Sequence, residues 1–115
     1  EDSLIINMKN INVLTDYLQK PEYLAPNGKV RHLILSEQGF NATNEDIQAD
    51  QIAKAYNIAK NNPYIEAFFL AREYDQPGEM HNVNGALQEM HFGLKEAYER
   101  GGRPRKAYSV YKGLQ

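Results

Sequence analysis

The chain has 115 residues, of which 42% are hydrophobic, enough for one domain with a packed core. Thirteen basic against fifteen acidic residues give a formal charge of -2, which favours neither a nucleic acid nor an anionic membrane surface as partner. Cysteine is absent, so disulfides, thiol catalysis and cysteine-ligated zinc are excluded, and no apolar stretch approaches the roughly 20 residues that span a bilayer.

In chain order, Met8, Ile11, Leu14 and Leu18 recur at helical spacing and predict a helix over residues 4–18, with Asp2 or Ser3 as its cap. PEYLAPNGK, with two prolines and Asn27-Gly28, breaks that helix. The Leu/Ile run of residues 30–36 reads as a strand buried on both faces. Thr43 with Asp46 three residues on is a capping-box pattern, and it opens a helix over residues 47–60 whose inner stripe is Ile52, Tyr56 and Ala59. Asn61-Asn62-Pro63 stops it. IEAFFLA, residues 65–71, is a second buried strand. Residues 72–91 are polar and aperiodic, the pattern of a long functional loop. Finally Ala107, Val110 and Tyr111 share one face of a short closing helix.

Strand, helix, strand implies two parallel strands whose ends emerge together, so Glu37 and the residues Arg72, Glu73, Tyr74 and Asp75 meet at the end where α/β folds bind ligands. Against this, carboxylates at strand ends are mostly solvated, and Arg72 is equally suited to a structural ion pair with Glu37 or Asp75. Phe40, Tyr64 and Tyr74 offer rings on which a sugar can stack, although such rings more often pack a core. His32, His81 and His91 lack any metal-ligand spacing, so no metal and no cofactor are expected. Arg100, Arg103, Arg105 and Lys106 read as a solvated approach to the last helix.

The order ILSEQGF, a helix, NNPYIEAFFLAREYDQPGE, MHFGL and GRPRKAYSVYKGL resembles the C-terminal end of retaining (β/α)8-barrel glycoside hydrolases, closest to a xylanase-like bacterial family. The resemblance covers residues 7–114, and SEQGF and GRPRKAY are its most specific parts. It implies a partial (β/α)8 barrel, the last two strand-helix units, with residues 30–36 as seventh strand and 65–71 as eighth. It also implies that Glu37 is the nucleophile, with the acid/base residue on a fourth strand that this chain does not contain. A barrel takes about 250 residues, so the chain is expected to be a single-domain C-terminal fragment of a longer enzyme. No tryptophan is present, and Arg72, Tyr74 and Asp75 occupy the region where many such hydrolases carry one.

The expected function is hydrolysis of polysaccharide by double displacement. Glu37 attacks, Arg72, Asp75 and His81 orient the nucleophile or a sugar hydroxyl, and Phe40 and Tyr74 contact the sugar. The rival is a non-catalytic carbohydrate-binding or interaction module. Expected partners are a carbohydrate and, because two strands leave edges and faces uncovered, a second copy that pairs strand edges or packs on the faces containing Leu33, Leu35, Phe68 and Leu70; neither nucleic acid nor membrane is expected. A secreted or periplasmic parent would suit a polysaccharide substrate.

Overall fold

Asn44, with extended backbone, accepts hydrogen bonds on its side-chain oxygen from the N–H groups of Asp46 (2.9 Å) and Ile47 (3.1 Å), and so starts the long helix of the fold. The computed structural model describes residues 5–114. Its helices are α1 (Asn12–Tyr17), α2 (Glu45–Lys60) and α3 (Lys106–Leu114), and its strands are β1 (Leu33–Gln38), β2 (Ile65–Leu70), β3 (Met80–Val83) and β4 (Ala86–Glu89). The cap of α2 is thus one residue later than the Thr43 expected from the sequence, because Asn44 satisfies two orphan donors at once. The buried positions of α2, Gln48, Ala49, Ile52, Ala55 and Ala59, follow helical spacing. Ala49 and Ile52 meet Ala107 of α3 and Leu94 in the core, with Phe40, Leu70, Tyr108, Val110 and Tyr111 packed around them.

The N-terminal helix is shorter than expected. A 3-10 turn at Met8–Asn10 precedes α1, and it is capped by Asn7, whose side chain accepts from Lys9 N–H while Asn10 accepts from Asn7 N–H. Two asparagines competing for the backbone hold the entry away from α-geometry. The expected cap at Asp2 or Ser3 lies outside the described residues.

β1 and β2 pair in parallel with α2 between them in sequence, but the partial (β/α)8 barrel of two strand-helix units is not what forms. The fold is a small mixed α/β domain with two separate two-stranded sheets, one parallel and one antiparallel, and three helices among the described residues. The reason lies in residues 72–105. Asn84 (φ 52°) and Gly85 (φ 86°) turn β3 back on β4 as an antiparallel hairpin, where the sequence suggested an aperiodic loop. Beyond it, backbone hydrogen bonds join Leu94 to Arg72, Asp75 and Glu73 to Lys95, and Arg105 to Leu94, which knits three irregular segments together.

In the parallel pair, Leu35 lies beside Phe68 and Gln38 beside Leu70, so three steps on β1 oppose two on β2 and one residue of β1 bulges at Ser36-Glu37. Phe68 stacks edge-on against Tyr56 of α2, and Leu70 packs on the core. Ile34 and Phe69 are more than half exposed. The apolar surface left open is therefore the Ile34/Phe69 face, and the expected association surface of Leu33, Leu35, Phe68 and Leu70 is corrected: Phe68 and Leu70 already have partners within the chain. No helix among the described residues is long and apolar enough to cross a membrane.

The cap makes a test of register. Asn44→Ala should cost about 1 kcal/mol of stability in urea unfolding, with the slope unchanged, whereas Thr43→Ala should stay within about 0.5 kcal/mol of the parent.

Candidate functional site

Both strands of the parallel sheet end on the same side. β1 delivers Glu37, Gln38 and Gly39 there, and β2 delivers Ala71 and Arg72, across a cis peptide bond. Glu37 is exposed beside the bulge. At Gly39 a side chain would begin 3.2 Å from both the Ala71 carbonyl oxygen and the Phe92 ring, so only a glycine lets these elements close up without displacement. Past Gly39, Ala42 N–H donates to the His91 carbonyl (2.8 Å) and His91 N–H donates to the Asn41 side chain (2.9 Å). The segment from His91 to Lys95 thereby bonds to the chain following β1 on one side and to the chain following β2 on the other.

Asp75 anchors this assembly. Its carboxylate is buried and receives Gly93 N–H (2.8 Å) and both terminal nitrogens of Arg105 (2.8 and 2.6 Å), and His91 Nδ1 lies 3.0 Å from Oδ2. Burial pushes the Asp75 carboxyl up, but the Arg105 guanidinium, the Gly93 N–H and His91 outweigh it and hold the group below the usual carboxylate range. Arg105 itself is 7% exposed and also donates to the Gly93 carbonyl. Gly93 is closed to any side chain, since a Cβ would fall 2.4 Å from Asp75 N and from the Lys95 carbonyl oxygen. Gln48 of α2 completes the cluster, donating to the carbonyls of Phe40 and Gly93, while its own carbonyl oxygen is buried with no hydrogen-bond partner.

The expected site residues do not come together in one place. Arg72 pairs with Glu79 through both terminal nitrogens (3.0 and 3.4 Å), not with Glu37 or Asp75. His81, half exposed, has Nε2 3.7 Å from Glu79 and its ring 5.8 Å from that of Phe92. Arg72, Glu79 and His81 thus form one polar rim, next to the Phe92 ring that touches Gly39. Asp75 is held inside with both oxygens taken, so it can act on a ligand only through His91. Tyr74 lies elsewhere, against Tyr98 and under the Lys95 ammonium, which also sits 4.7 Å from the Tyr108 ring. Phe40 packs on the core and lines a groove of about 580 Å³ with Met8, Ala55 and Ile58. Tyr64 meets His32 edge-on. The three expected rings therefore do not form a single platform.

Of the basic residues leading into α3, Arg100, Arg103 and Lys106 are solvent-exposed as expected, each in a surface ion pair, and Arg105 is the exception. Arg105 is buried on Asp75, Arg103 bridges Glu45 and Glu96, Arg100 pairs with Glu89, and Lys106 reaches Asp46. Among the described residues no group of three His, Asp or Glu side chains is placed to hold a metal. His91 and Arg105 carry the geometry, yet sequence spacing singled out neither as a site residue. The one signal for Arg105 was its place within GRPRKAY.

The full chain, residues 1–115, matches the model of a family described as a family of unknown function, DUF5722, and the chain belongs to that family. No curated protein and no solved structure matches it.

The depressed Asp75 carboxyl fixes a sign. Its contribution to stability is fully present above the ordinary carboxylate value of about 3.9 and is lost as pH falls from there through the lower folded value. Thermal melting should therefore drop steeply below about pH 4 in the parent. Asp75→Asn should flatten that dependence and, by leaving Arg105 buried without its counter-ion, cost roughly 3–5 kcal/mol at neutral pH.

Proposed function

We propose that this member of the DUF5722 family bears the nucleophile of a retaining glycoside hydrolase, and that Glu37 is that nucleophile. The observation that carries the reading is the position of Glu37: exposed, beside a bulge, at the end of the parallel sheet from which β2 leads into Arg72, Glu79 and His81. One Glu37 oxygen attacks the anomeric carbon as the bond from that carbon to the leaving oxygen breaks, and the leaving oxygen takes a proton from a carboxylic acid. Water then attacks the anomeric carbon of the glycosyl ester, gives its proton back to the conjugate base of that acid, and releases the sugar with Glu37 and the acid restored. A retaining site holds its two carboxyl groups about 5–5.5 Å apart. Asp75 and Glu79 are poorly suited to be the acid, since Arg105 and His91 take the oxygens of the first and Arg72 takes both of the second. The acid belongs, on this reading, to polypeptide beyond these 115 residues.

In the polypeptide that carries this chain, Glu37→Gln should lower kcat by about 10³-fold or more. Azide added to Glu37→Ala should restore turnover of an activated aryl glycoside, giving a glycosyl azide of inverted configuration, because azide attacks from the face the carboxylate has vacated. Ordinary activity in Glu37→Gln, or rescue without inversion, overturns the assignment.

The open sheet supports a second proposal, that the isolated chain self-associates. Ile34 and Phe69 are exposed on one face, and the outer edges of β1 and β2 have no strand beside them among the described residues. Light scattering at micromolar concentration should show dimers or larger species that Ile34→Lys with Phe69→Lys reduces to monomer. A parent that is already monomeric overturns it.

A further inference from the structure

Among the described residues, His91 is the partly exposed side chain that touches the buried Asp75 carboxylate. Its main chain is fixed on both sides by Asn41 and Ala42, just past the end of β1, and the ring of the following Phe92 rests against Gly39. Its Nδ1 faces Asp75 Oδ2 at 3.0 Å, while the side chain as a whole remains 30% exposed. An ionised carboxylate has no proton to give, so Nδ1 must be the donor, and in the neutral ring the proton sits on Nδ1 and leaves Nε2 as a bare acceptor. Nε2 has no hydrogen-bond partner among the described residues, and the nearby Glu89 is already engaged by Arg100. A buried ion pair is a poor investment in stability alone. Asp75 and Arg105 together hold one imidazole in one tautomer with its acceptor nitrogen turned away from the buried pair.

We infer that His91 Nε2 is a ligand-binding acceptor that takes a hydrogen bond from a hydroxyl of a polyhydroxylated ligand, with Asp75 and Arg105 as positioning residues. The inference rests on the carbohydrate reading above and extends it, because it supplies a contact that neither Glu37 nor the Arg72–Glu79 pair provides. Both of those present a carboxylate or a committed guanidinium, whereas a neutral imidazole nitrogen accepts from a hydroxyl without adding charge. A sugar is the ligand class whose recognition needs such neutral acceptors in number.

The test begins on the wild-type chain labelled with 15N in histidine. With the ring neutral, long-range 1H–15N correlation should show Nδ1 protonated and Nε2 unprotonated. Millimolar xylotetraose or cellotetraose should then shift the Nε2 resonance of His91, while His32, just before the opposite end of β1, serves as an internal control. His91→Phe should weaken binding of the same probe about 3- to 10-fold, the loss of one hydrogen bond, and His91→Gln, which returns an acceptor near the Nε2 position, should recover part of it. An Nε2–H tautomer, or an Nε2 resonance unmoved by either probe, overturns the inference. So does a His91→Phe variant that binds like the parent and merely melts lower. Failure of Glu37→Gln to lose activity would remove the nucleophile assignment and leave these binding results standing, whereas normal binding by His91→Phe beside an inactive Glu37→Gln would remove this inference alone.

Discussion

The Asp75–Arg105 pair is the interaction on which the rest of the structure depends. Its two side chains are 6% and 7% exposed, and through Gly93, His91 and the flanking backbone bonds it joins the chain after β2, the segment before α3 and α3 itself. Removing either partner leaves a buried charge without its counter-ion, a larger loss than the pair contributes by being there. Lys95 makes a softer copy of the same junction on the outside, with its ammonium between Tyr74 and Tyr108 and bonded to Glu73. The neighbouring Arg103 and Lys106 tie the start of α3 to the start of α2, where Glu45 and Asp46 also suit the positive end of the helix dipole. The apolar core is small, and its alanines allow α2 and α3 to approach closely, so polar junctions of this kind determine how the helices meet the sheet.

The sheet itself is underbuilt for its type. Parallel strands are ordinarily covered on both faces, yet here α2 covers one and the other displays Ile34 and Phe69. The bulge at Ser36-Glu37 is offset at the other end of the pair, where one step on β1 opposes two on β2. The two irregularities cancel, so the strands end level while their middles are out of step. Glu37 therefore leaves the sheet with the direction set by a local bulge, and regular alternation alone would not have indicated it.

Much of the helical structure was legible because it depends on neighbours in sequence. The stripe of α2 and its stop at Asn61-Asn62-Pro63 follow from spacing and proline chemistry, while at its other end the cap lies one residue later than expected and the helix starts two residues earlier, at Glu45. The hairpin of β3 and β4 was misread as loop. Its four-residue strands, half of whose residues are polar, are too short for alternation to register, although Asn84-Gly85 is the turn signal that identifies it. The partial barrel failed for a different reason: a strand, a helix and a strand specify one parallel pair and say nothing about what lies beside it. Glu37 could be located at a strand end from the sequence. The partnership of Asp75, His91 and Arg105 could not, since residues 16 and 30 positions apart carry no local sign that they meet.

That separation also orders events in time. During synthesis at roughly 5–20 residues per second, Asp75 is made about 1.5–6 s before Arg105, the residue that neutralises it. Until then a carboxylate destined for the interior has only water for company, and closing the intervening stretch costs chain entropy that only the finished cluster offsets. β1, α2 and β2 can meet as soon as they are made, but the ring of His91 acquires its fixed orientation only when the start of α3 arrives. The polar end of the sheet is thus completed only once the hairpin and the approach to α3 exist, and a ribosome paused within the hairpin would present the carboxylate of Glu37 on a platform not yet finished.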